Sequence, residues 1–168
     1  MSKKSSFSPN QALVHPSSSQ LSVELTEWLG DHPFVLTSIE SKGLEFEDVG
    51  VAFDADRKVW NIEEARVDSL KLLRELYVAV TRAKNRLVIL VKKHCDAAFR
   101  LFRELNCDLN FVKTEFALLE FDSTTTTAEW LKKAHGLFEY EHYQHAAKCF
   151  NKAQSTSWSN WTLDLQQK

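Results

Sequence analysis

The run Leu87-Val88-Ile89-Leu90-Val91 offers no polar residue to either side of an extended chain, so as a strand it needs apolar cover on both faces. That requirement points to a parallel sheet sandwiched by helices rather than to a half-solvated antiparallel one. Two more compact runs, Phe34-Val35-Leu36-Thr37-Ser38-Ile39 and Val49-Gly50-Val51-Ala52-Phe53, read as buried strands. Between the second run and Leu87, the residues Ile62, Ala65, Leu70, Leu73, Leu76, Tyr77 and Val80 keep a three-to-four spacing, which predicts a helix over 61–83 packed on the sheet. Strands alternating with helical pattern give an α/β class. Four Gly and three Pro in 168 residues are too few for a loop-rich all-β chain.

The flanks differ in kind. Residues 1–20 are rich in serine, carry Pro9 and Pro16 and have little periodic apolar content, so they are expected to be disordered. Leu21, Leu25, Trp28 and Leu29 predict a short helix ending at Gly30. Asp96 is a candidate cap for a helix through Asn106, and 111–121 alternate enough for a last strand. The polar run Ser123–Thr127 is a boundary able to cap a helix on its C-terminal side. Beyond it, Trp130, Ala134, Leu137, Phe138, Tyr143, Ala146, Phe150 and Ala153 predict a helical hairpin over 128–153, whereas Ser155 to Lys168 show no cap or period. The expected division is therefore a disordered 1–20, an α/β domain over 21–121, and a helical hairpin with tail over 128–168.

With 21 Lys+Arg against 23 Asp+Glu, the net charge of −2 excludes a strongly basic nucleic-acid module. Cys95, Cys107 and Cys149 are an odd number at wide spacing with no Cys-x-x-Cys pair, so neither a disulfide framework nor a zinc ribbon can be read from them, which suits a reducing compartment. His142, His145 and Cys149 fall at i, i+3 and i+7 of a helix, a spacing that can hold zinc. They also lie one residue off the stripe of Tyr143, Ala146 and Phe150, so they are expected to face solvent and no metal is assigned. No apolar run reaches the ~20 residues of a membrane span. The expectation is an intracellular protein, cytoplasmic or nuclear.

Two local sequences carry chemistry: Thr37-Ser38-Ile39-Glu40-Ser41-Lys42-Gly43-Leu44-Glu45-Phe46 and Leu76-Tyr77-Val78-Ala79-Val80-Thr81-Arg82-Ala83. They resemble motifs V and VI of superfamily 1 helicases of the UvrD type, in order, separation and residue identity. The resemblance implies a RecA-like parallel-sheet half, the second domain of a motor that closes over ATP. Carried over by position, Arg82 is the catalytic arginine that reaches the γ-phosphate, and Lys42, Gly43 and Glu45 belong with it to the ATP-binding set. Thr37 and Ser38 fall where the family touches nucleic acid, with Ile39 where many members have a His. A guanidinium supplied from across a cleft can speed phosphoryl transfer by about 10³ to 10⁵.

Gly30, Gly43, Gly50 and Gly136 form no Gly-x-x-x-x-Gly-Lys-Ser/Thr loop, and no acidic metal box precedes Lys42-Gly43. The chain is thus expected to supply half of an ATP hydrolase site and to be inactive alone, needing an N-terminal helicase domain to grip ATP and Mg²⁺. The hairpin over 128–153 resembles a tetratricopeptide repeat (TPR), in which Ala134 and Ala146 let two helices approach while Tyr143 and Phe150 fill the gap between hairpins. A lone repeat cannot bury its own apolar face and must pack on the sheet half or on further repeats. This combination resembles the TPR and ankyrin repeat-containing proteins. The implied partners are the N-terminal helicase domain, single-stranded nucleic acid and a protein bound by the hairpin. The competing expectation is a non-catalytic interaction scaffold that uses the hairpin alone.

Overall fold

A computed structural model describes residues 8–16, 21, 23–30, 32–53, 66–91 and 125–166. In chain order these form β1 (Gln11–His15), α1 (Val23–Leu29), β2 (Val35–Thr37), β3 (Phe46–Phe53), α2 (Arg66–Val80), β4 (Ala83–Val91), α3 (Thr127–Glu139), α4 (Tyr143–Lys152) and α5 (Thr156–Gln166). The four strands make one sheet in the order β2-β1-β3-β4 with every pair parallel, so the fold is α/β, as expected for a RecA-like half, with C-terminal helices added to it. Among the described residues no helix is long and apolar enough to cross a membrane. The helix expected over 96–106 and the strand over 111–121 fall outside the described residues.

Strand pairing explains how both faces are covered. The rungs Val14↔Leu36, Val14↔Val51 and Val51↔Ile89 carry one row of side chains across all four strands, and that row belongs to the larger core cluster. On this face Leu76 and Ala79 of α2, Trp130, Ala134 and Leu137 of α3, and Ala146, Cys149 and Phe150 of α4 complete the cluster. Among the described residues the opposite face carries a smaller cluster, with Leu13 and Ala52 of the sheet under Leu25 and Leu29 of α1. Gly30 ends α1 at φ +59°, donating its N–H to the Thr26 carbonyl at 3.0 Å, the left-handed stop that glycine tolerates best.

Three expectations are corrected. Residues 1–20 are not disordered throughout, because 11–15 form β1, an inner strand with Ala12, Leu13 and Val14 all buried. Two neighbours satisfy its backbone groups and apolar cover lies on both faces, which offsets the ordering cost that its serine-rich flanks suggested. The run 87–91 is in β4 but is not fully buried. Among the described residues β4 lies at the sheet edge and Leu87 is exposed. The segment after Ser155 is helical: α5 packs on α4 through Ser159 and Thr162, both fully buried, with Ser159 Oγ donating to the Ala147 carbonyl at 3.0 Å and Thr162 Oγ1 to the Trp158 carbonyl at 2.7 Å.

The hairpin expected over 128–153 is present. Thr126 opens α3 with a capping box: its hydroxyl accepts from Glu129 N–H, and its own N–H donates to Glu129 Oε2 at 2.8 Å. α3 and α4 end without glycine. Glu141 and Gln154 take the left-handed positions, at φ 62° and 59°, while the next residues, His142 and Ser155, donate back to the Leu137 and Phe150 carbonyls.

Candidate functional site

The connection from β2 to β3 passes β1 in eight residues, 38–45, where a parallel crossover ordinarily takes a dozen or more. Thr37 and Glu40 form a second capping box: Thr37 N–H and Oγ1 donate to Glu40 Oε2 at 2.8 and 2.9 Å, and Glu40 N–H donates to Thr37 Oγ1 at 3.2 Å. The bond from Thr37 N–H, helped by the Thr37 hydroxyl and by His145 and Lys148, holds the Glu40 carboxyl below its usual range. One helical turn comes next, with Ser41 N–H on the Thr37 carbonyl at 3.0 Å, and then Gly43 reverses the chain at φ +79°. A side chain there would be strained in the left-handed region.

Arg82 sits just past the end of α2. Its Nε donates to the Val78 carbonyl at 3.0 Å, satisfying one of the acceptors that a helix end leaves open. Its Nη1 reaches across to the Leu44 carbonyl at 3.2 Å, and Nη2 donates to Thr81 Oγ1 at 3.1 Å. The Arg82 carbonyl in turn accepts from Phe46 N–H at 2.9 Å. The helix end and the glycine turn are therefore laced together twice. Two of the five guanidinium N–H groups are left over from these three bonds, and the side chain is half-buried.

The remaining candidates separate into two groups. Glu45 lies beside this junction, exposed and paired with Lys84 at 2.7 Å, and Lys84 holds its carboxyl below the usual range. Lys42 is exposed on the turn. Arg82, Gly43 and Glu45 thus gather at the edge where β3 and β4 begin. Thr37 and Ser38 lie at the other end of the connection, where β1 and β2 finish, with Ser38 N–H on the His15 carbonyl at 2.8 Å. Ser38 is 2% exposed and its hydroxyl has no hydrogen-bond partner among the described residues. Thr37 is committed to its capping box.

The hairpin brings residues to this site that sequence reasoning did not assign to it. Lys133 Nζ donates to the Glu45 carbonyl at 3.3 Å and lies 4.6 Å from the Phe46 ring centroid. The His142 imidazole is 3.6 Å from where a Cβ on Gly43 would stand. His145 stacks on Phe34 with centroids 6.2 Å apart, and burial lowers its pKa to about 4. Cys149 is wholly buried and its thiol is pushed up to about 12. The expectation that His142, His145 and Cys149 all face solvent is corrected: α4 buries a wider arc than the one stripe, including Ala146, Ala147, Cys149 and Phe150. Among the described residues no three His, Cys, Asp or Glu side chains converge on a metal-sized site. A lysine three residues after Trp130 and four before Leu137, next to the buried stripe of α3, was the signal for Lys133.

No family model matches the chain. Over 65 residues, 36% of this chain, it is 40% identical to F-box DNA helicase protein 1 of Schizosaccharomyces pombe. The chain contains a helicase-related region. It spans 7% of that relative's length.

Proposed function

We propose that this chain is the motif V and VI portion of an ATP-dependent superfamily 1 helicase of the UvrD type, a second RecA-like domain that completes an ATP site begun by an N-terminal helicase domain. The observation that carries the reading is the bond from Arg82 Nη1 to the Leu44 carbonyl, because it sets the candidate arginine against the Lys42-Gly43 turn. In this reading ATP with Mg²⁺ is gripped by the other domain, and Arg82 turns its spare donors to the charge that develops on the γ-phosphate oxygens. Glu45 and Lys42 flank that approach. Single-stranded nucleic acid is the substrate of the assembled motor, with Thr37 and Ser38 at the far end of the crossover as the nucleic-acid side. The α3–α4 hairpin is TPR-like and serves as the site of a protein partner.

Nucleotide binding in trans tests this. The full chain is added to the first RecA-like domain of a related superfamily 1 helicase, and the affinity of that domain for a non-hydrolysable ATP analogue is measured by titration. A charge-assisted hydrogen bond of about 1.5–3 kcal/mol predicts roughly tenfold or greater tightening, lost with Arg82→Ala. Equal affinity with and without the guanidinium would favour an interaction scaffold with no nucleotide chemistry.

A further inference from the structure

Three different elements converge on three consecutive residues of the glycine turn, and two of them bond to it. Gly43 faces the His142 ring at the start of α4, the Leu44 carbonyl accepts from Arg82 at the end of α2, and the Glu45 carbonyl accepts from Lys133 of α3. The hairpin therefore does more than roof the sheet: Lys133 bonds to the segment that Arg82 also bonds to, and His142 lies beside it. Of the two, Lys133 supplies the polar hold.

A lysine is a costly choice at this position. Its ammonium lies over Phe46 and Phe34, with Nζ at 4.6 and 5.6 Å from the ring centroids, and burial lowers its pKa. Among the described residues no carboxylate lies within ion-pair reach of it. An unbranched apolar side chain such as Met would cover the same rings without losing hydration, so what lysine adds is a charged donor aimed at the Glu45 carbonyl.

We propose that Lys133 is a positioning residue for the glycine turn, so that the helical hairpin fixes the backbone against which Arg82 is set. The inference rests on the reading of that turn as nucleotide-facing, and it names the regulation of the site: a partner that shifts α3 moves the Leu44 and Glu45 carbonyls, and with them the guanidinium. Coupling of this kind passes through contiguous contacts, from α3 through two adjacent carbonyls to Arg82.

The test is amide hydrogen exchange of the full chain by NMR, with no nucleotide present. Leu44 N–H and Phe46 N–H are the reporters, since each donates within the clamp, to the Ser41 and Arg82 carbonyls. In Lys133→Met these two amides exchange about tenfold faster, the Arg82 Nε–H resonance moves, and amides in the middle of α3 and α4 keep their rates. Lys133→Arg restores the slow exchange. Lys132→Met, at the exposed neighbouring position, changes nothing. Wild-type rates at Leu44 and Phe46 in Lys133→Met would overturn the proposal. So would an equal loosening of the whole hairpin in both Lys133 variants. The readout needs no ATP, so the clamp can fail while the trans-binding result stands, and the ATP-site reading can fail while the exchange result stands.

Discussion

Thr37 to Glu40 and Thr126 to Glu129 close the same hydrogen-bonded ring, each with the threonine N–H on Glu Oε2 at 2.8 Å and the glutamate N–H returned to the threonine hydroxyl. One opens thirteen residues of helix and the other a single turn. After Glu129 come Trp, Leu, Lys, Lys and Ala, which prolong a helix and present Trp130, Ala134 and Leu137 along one buried line. After Glu40 come Ser41, Lys42 and a left-handed Gly43, and Leu44 then turns into the core. A cap therefore starts a helix without setting its length. The stop is set by what the next few residues can bury and by where glycine allows the chain to reverse.

The two regions meet at Phe34, whose ring lies 4.9 Å from Phe46, the first residue of β3 after the crossover, and stacks on Trp130 of α3 and His145 of α4. If hairpin and crossover share one core, Phe34→Ala costs about 3–5 kcal/mol and lowers stability in a single urea transition. Two separate transitions, with only the first displaced, would split the molecule at that ring. The pH dependence tests the same junction from the hairpin side. An unfolded His145 takes a proton near pH 6.5, whereas the folded ring refuses it until about 4. The unfolded chain thus binds more protons between those values, and stability falls as pH drops from 6.5 towards 4. The ring's partial contact with solvent limits its share to about 2 kcal/mol, and His145→Phe should remove that share from a series of urea melts.

Gly43→Ala addresses the stop itself. Nothing crowds a Cβ there beyond ordinary contact with His142, so the cost is conformational, about 1–2 kcal/mol from φ +79°. A neutral result would mean that the reversal does not depend on glycine. The smallest effects belong to the caps. Thr126→Ala should lose about 1 kcal/mol and Thr37→Ala about half of that, because a single turn has less helix to lose. Equal losses would show that the two rings do the same work regardless of the length of helix behind them.

The sequence made some of this legible and hid the rest for physical reasons. α1 with its Gly30 stop, β2 within the run 34–39, the 49–53 part of β3, and both hairpin helices are readable from apolar period and turn chemistry. β1 was not, because an inner parallel strand of five residues shows no alternation and its flanks are serine-rich. α5 was hidden twice over: Gln154 rather than glycine takes the left-handed stop before it, and its buried face is built from Ser159 and Thr162. At the site, the two motifs named Arg82 and Gly43, and the fold sets them one hydrogen bond apart through Leu44. The capping box at Thr37 was readable as Thr-x-x-Glu. The approach of His142 to Gly43 was not, since residues so distant in sequence meet only through the packing of α4 on the sheet.

All of this leads back to one guanidinium. ATP turnover by the full chain combined with a related first RecA-like domain, measured for the wild type, Arg82→Lys and Arg82→Ala, asks whether it acts on phosphate. The expected rate depends on both components, falls by about 10³ or more in Arg82→Ala, and is only partly kept by lysine. Turnover unchanged in Arg82→Ala, with the complex intact, would contradict it.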